Sequence, residues 1–134
     1  MKIEKTLNVP NPVFFDKIID SVIFDIRKAT GKTVSRKQLA GYEYVKEFSA
    51  SSRAKIKIEE VIENQVYQFR TETTKNEFVV RYELETINEK QTKVIYTETM
   101  KSFGILQQMN DMLLGTILGY FKRKQFKKML VMME

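Results

Sequence analysis

The chain has 134 residues, room for one domain, and its charged and apolar shares are those of an ordinary folded protein. It contains neither Cys nor His, which excludes disulfides, thiolate metal sites, cysteine nucleophiles and Ser-His-Asp arrangements. Its formal charge of +6 is local, because Lys122, Arg123, Lys124, Lys127 and Lys128 supply +5 of it.

Residues 2–9 read as a strand, with Ile3, Lys5, Leu7 and Val9 alternating against Lys2, Glu4, Thr6 and Asn8. Asn11 followed by Pro12 predicts a helix N-cap with proline at the first helical position. Phe15, Ile18, Ile19, Val22, Ile26 and Ala29 form one helical stripe that Gly31 ends. Ser35 and Gln38 fit a capping box, predicting a short second helix over Ser35–Ala40 that stops at Gly41.

From there the period changes to two. Tyr42, Tyr44 and Phe48 alternate, then Ala54, Ile56 and Ile58, then Tyr67, Phe69 and Thr71. Phe78, Val80, Tyr82 and Leu84 make a fourth run, and Val94, Tyr96 and Met100 a fifth. Short polar breaks at Ser49–Ser52, Glu63–Asn64, Lys75–Asn76 and Asn88–Lys90 predict hairpins and an antiparallel meander. A last helix is predicted from about Gly104 to Met133, with Ile105, Leu106, Met109, Met112, Leu113, Ile117 and Tyr120 on its sheet-facing side. The longest uncharged apolar run, Met112–Phe121, is about half of the ~20 residues that a bilayer span needs. MKIEKTLNVP lacks a signal-peptide core. A cytoplasmic location is expected.

The order strand, helix, five-strand meander, long C-terminal helix is similar to the helix-grip fold of the START-like superfamily (SRPBCC-type), which includes polyketide cyclases and Bet v 1 relatives. The chain resembles more closely a Gram-positive bacterial family of unassigned activity, through KTLNVP at 5–10, ATGKT at 29–33, SSRAKIKIEE at 51–60, NDMLLG at 110–115 and FKKML at 126–130. The resemblance implies an α+β domain spanning 1–134, in which a curled antiparallel sheet of about six strands wraps against the C-terminal helix around a hydrophobic cavity. It implies no catalytic residue.

Candidate site residues follow from strand parity. Tyr67, Phe69, Phe78, Tyr82 and Tyr96 point to the apolar side of the sheet, and each buried phenol there wants a hydrogen-bond partner. Glu98 shares the parity of Tyr96; a carboxylate on such a face is either paired or at the strand end in water. Met109 and Met112 on the facing helix fill gaps or line an adaptable pocket. The same residues serve a ligand pocket or a closed core. Gly31-Lys32-Thr33 lacks the earlier glycine of a phosphate-binding loop, since Ile26 stands there, and it closes a helix instead of opening one.

No cofactor or metal is expected. The leading functional reading is a non-catalytic binding module for a small apolar or amphipathic ligand. The alternatives are a protein-interaction or anionic-surface docking domain without a cavity, and a small hydrolase or cyclase-like enzyme with Glu98 and the tyrosines as acid or base. The stretch Lys122–Lys128 is the candidate docking element, although a nucleic-acid partner would be expected to meet aromatics interleaved with the basic residues. Leu114, Leu118 and Phe121 form a second stripe on the last helix and predict a homodimer.

Overall fold

A computed structural model describes residues 1–49 and 52–102. The predicted C-terminal helix, and with it Met109, Met112, Leu114, Leu118, Phe121 and the stretch Lys122–Lys128, lies outside the described residues. The long helix of the described residues is the N-terminal one. Strand β1 covers Lys2–Leu7 and helix α1 Asn11–Thr30; a 3-10 turn at Arg36–Gln38 leads into β2 (Glu43–Ser49), β3 (Ser52–Ile62), β4 (Val66–Glu72), β5 (Asn76–Asn88) and β6 (Gln91–Ser102). No helix among the described residues is long and apolar enough to cross a membrane.

All six strands form one curled antiparallel sheet in the order β1-β6-β5-β4-β3-β2. The meander places β2 to β6 side by side, and β1 closes the far edge against β6. Since β1 and β2 lie at opposite edges, their connection has to cross the sheet. Five strand spacings of about 4.8 Å make a sheet about 24 Å wide, and a helix rising 1.5 Å per residue covers that in roughly 16 residues. The 20 residues of α1 suffice.

Helix α1 buries Phe14, Phe15, Ile18, Ile19 and Ile26 in the main cluster, together with Leu7, Val9, Tyr44, Ile56, Ile58, Tyr67, Leu84 and Val94. The predicted stripe is met except at its ends: Phe14 is fully buried although its neighbour Phe15 alone fits the stripe, and Ala29 is exposed. The helix begins one residue earlier than the capping pattern predicts. Pro10 is the N-cap and Asn11 the first helical residue. The Asn11 amide is buried and its Nδ2 donates to Thr86 Oγ1 of β5 at 3.1 Å, so a tertiary bond takes the side chain that a cap would need. At the other end Gly31 adopts φ 76°, a left-handed conformation that suits glycine, and its N–H donates to the Arg27 carbonyl.

The second predicted helix is reduced to the single 3-10 turn. Its capping box is present, with the Ser35 N–H donating to Gln38 Oε1 at 2.9 Å. Arg36 then ties the turn to α1 through Asp16 at 2.5 Å and to the β3–β4 turn through Glu63 at 3.5 Å. In that β3–β4 turn Asn64 stands at φ 61°, a conformation Asn tolerates better than most residues.

A register shift between Ile58 and Glu60 marks a β-bulge in β3. Ile58 faces Phe69, Glu60 faces Gln68 and Val61 faces Tyr67, so the extra residue turns both Glu59 and Glu60 to the outer side of the sheet. There the two glutamates anchor a chain of charges. Arg70 pairs with Glu59 at 3.1 Å and with Glu77, Gln68 Nε2 donates to Glu59 at 3.0 Å, and Arg81 donates to Glu60, Gln68 and Glu83.

Candidate functional site

The inner face of the sheet is built in rows, because residues opposite each other in an antiparallel ladder point the same way. One row runs Val61, Tyr67, Tyr82, Tyr96, Ile3 across β3, β4, β5, β6 and β1. The next holds Ile58, Phe69, Val80 and Glu98, and a third Ile56, Thr71, Phe78 and Met100. Six of the eight predicted site residues therefore share one surface; Met109 and Met112 are the two that lie outside the described residues.

Within the first row the rings touch. Tyr67 and Tyr82 have centroids 6.3 Å apart, and Tyr82 meets Tyr96 edge-on at 5.1 Å. Phe69 packs on Tyr67 at 5.6 Å. Such contacts contribute about 0.5–1.5 kcal/mol each beyond the area they bury. They hold the rings against one another.

Polar groups stand at both ends of this aromatic surface. On β6 the Tyr96 hydroxyl donates to Glu98 Oε2 at 3.0 Å, so Glu98 lies on the inner face, half-buried, with a partner. Toward β2, Asp25 of α1 accepts hydrogen bonds from the Tyr44 hydroxyl and from Lys46 Nζ, both at 2.6 Å. Burial pushes the Asp25 carboxyl up, but the bonds from Lys46 and Tyr44 outweigh it and hold the group below its ordinary value. The phenols shift the other way. Burial, joined by the charge of Glu98, pushes Tyr82 up to about 12. Tyr67 is raised by burial with lesser help from Tyr82 and Asp25. Burial followed by Asp25 raises Tyr44, and burial followed by Glu98 raises Tyr96. All four phenols stay protonated through the neutral range, as hydrogen-bond donors and acceptors and not as bases.

The helix covers only part of this face. The main cluster contains the α1 residues, whereas Ile3, Val80 and Tyr96 form a smaller cluster with Met1, Phe69 and Tyr82 that includes no α1 side chain. Phe69 and Tyr82 border both clusters. Met100, at the end of the third row, is exposed. Among the described residues no cluster of acids could hold a metal ion.

Sequence reasoning missed three members of this surface. Asp25 reads as one more polar residue on the helix, and only the fold brings it against Tyr44 and Lys46. Lys46 and Lys5 stand at inward positions of their strands, a fact visible in the parity with Tyr44 and with Leu7.

Residues 1–119 match the family described as DUF3284, a domain of unknown function. The chain belongs to the DUF3284 family. No curated protein matches its sequence. Among solved structures the DUF3284 domain is similar to MLL2253 from Mesorhizobium loti, at 12% identity and TM-score 0.61 over 97% of this chain and 94% of that one. It is similar to Ara h 8.0201 at 15% identity and TM-score 0.57, over 92% of each chain. The Zhui aromatase/cyclase from Streptomyces sp. R1128 gives 10% identity and TM-score 0.53, over 78% of this chain and 68% of that one. The domain spans only 36% of DynU16, another structure of TM-score 0.52. At such identities the likeness is one of fold: an α+β unit with a curled six-stranded antiparallel sheet and a helix, as in helix-grip proteins.

Proposed function

We propose that this DUF3284 domain binds a small apolar or amphipathic molecule on the inner face of its sheet, without transforming it. The observation that carries the reading is the row Tyr67, Tyr82, Tyr96. Three phenol rings lie side by side across neighbouring strands, and the part of the face around Tyr96 packs without any α1 side chain. An apolar surface with a few convergent polar tips is how small-molecule sites are usually made. Tyr and Phe supply area at low entropy cost, while the phenol oxygens and Glu98 supply orientation. The fold supports a small molecule in such a domain in a weaker way, since one neighbour is an aromatase/cyclase, although that neighbour's name says nothing for binding without reaction.

Native mass spectrometry of the protein purified from its own host tests this. A copurified organic molecule at one per chain is expected, lost in Tyr82→Ala while the circular dichroism spectrum is kept. A bare protein mass, together with no calorimetric binding of decanol, overturns the reading.

A further inference from the structure

One inward side chain has no place in a purely apolar surface. Lys5 lies on β1 between Ile3 and Leu7, both buried, and pairs in register with Val94, which is fully buried. Its parity is therefore inward, and the residue is half-buried. Ile3 belongs to the smaller cluster and Leu7 to the helix-covered one, so Lys5 stands at the seam between them. Among the described residues no carboxylate pairs with it. Glu4 is taken by Lys2 and Lys93 on the outer side, Asp25 by Tyr44 and Lys46, and Glu98 accepts from Tyr96.

We propose that Lys5 anchors the anionic head group of an amphipathic ligand whose apolar body lies along Tyr96, Tyr82 and Tyr67. This rests on the reading that the inner face is a binding surface. The placement suits the task. As an edge strand, β1 sets the ammonium at the rim, where a charged head stays hydrated, and the tyrosine row leads inward from there. From β1 to β4 is three strand spacings of about 4.8 Å, so the body is about 14 Å long, the scale of a ten-carbon chain. Glu98 does not cancel the attraction. It stands four residues beyond Val94 along β6, roughly 13 Å away at strand rise, too far to form an ion pair with Lys5.

An inward lysine on an edge strand also discourages edge-to-edge pairing of sheets. That role predicts more self-association in Lys5→Gln and leaves ligand preference untouched, which separates the two.

The experiment is titration calorimetry of decanoate, decyl phosphate and decanol against the wild type, Lys5→Gln and Lys5→Arg. The wild type is expected to bind one or both anions about tenfold more tightly than decanol, the size of a partly exposed charge-assisted hydrogen bond. In Lys5→Gln that ratio falls to about one with decanol unchanged, and Lys5→Arg keeps it. Which anion gains more tells a carboxylate head from a phosphate head. A wild type that binds decanol as tightly as both anions, or a preference that survives in Lys5→Gln, overturns the anchor while leaving the inner-face reading intact. Binding of none of the three, together with a bare protein mass in the native spectrum, removes both.

Discussion

The two faces of the sheet are made by the same strands and held by different forces. On the inner face Tyr67, Phe69 and Tyr82 pack ring on ring in the cluster that holds Ile58, with Asp25 and Glu98 each accepting a hydrogen bond from a phenol at its two ends. On the outer face Glu59, Gln68, Arg70, Glu77 and Arg81 exchange charge-assisted hydrogen bonds in contact with water. Alternation along each strand produces both faces, but their energies differ. Apolar burial is not screened by salt, whereas ion pairs between partly exposed groups are screened and small. The inner face should therefore set stability and ligand choice, and the outer face chiefly solubility and strand register.

The largest expected effect lies at Ile58, fully buried where the bulge begins. Ile58→Ala should destabilise the domain by about 2–5 kcal/mol, the cost of a lost side chain plus its cavity. A loss below about 1 kcal/mol in urea unfolding would mean that the inner face is loosely packed there.

Asp25 is intermediate. Its folded-state value lies below the ordinary 3.8, so its bonds to Lys46 and Tyr44 stabilise the fold above that pH, and the contribution is lost as pH falls through the depressed value. Asp25→Asn should cost about 1–2 kcal/mol at neutral pH, allowing for partial exposure, and should flatten the acid limb of the stability profile below pH ~4. An acid limb identical to the wild type would assign the acid sensitivity elsewhere.

The smallest effect is expected outside. Arg81 bonds Glu60, Glu83 and Gln68, all of them partly exposed, and Arg81→Met should cost no more than about 1 kcal/mol. That cost should shrink further in molar salt, read as the shift of the urea midpoint. A loss as large as that of Ile58→Ala would show that the charge chain, and not the aromatic row, holds β3, β4 and β5 together.

Much of this architecture is legible in the chain. The five alternating runs correspond to β2 to β6, and the polar breaks at Glu63–Asn64, Lys75–Asn76 and Asn88–Lys90 fall at their hairpin turns. The stripe from Phe15 to Ile26 is the buried side of α1. Local rules suffice there, because a strand's parity and a helix's period are properties of a few neighbouring residues. The inner-face identity of Tyr67, Tyr82, Tyr96 and Glu98 was readable for the same reason. The bulge at Glu59 was not, although two adjacent glutamates in an alternating run are its trace.

The strands β1 to β6, helix α1 and the side to which each strand residue points are legible in the chain alone, since they follow from local backbone geometry. Which residues meet follows from the whole fold. It set Asn11 on Thr86 in place of a helix cap, and it brought Asp25 to Tyr44 and Lys46 from 19 and 21 residues away. It also aligned three tyrosines into one row. Those contacts depend on strand register and on the path of α1 across the sheet, and register is fixed by the sum of many weak packing terms that no single segment carries.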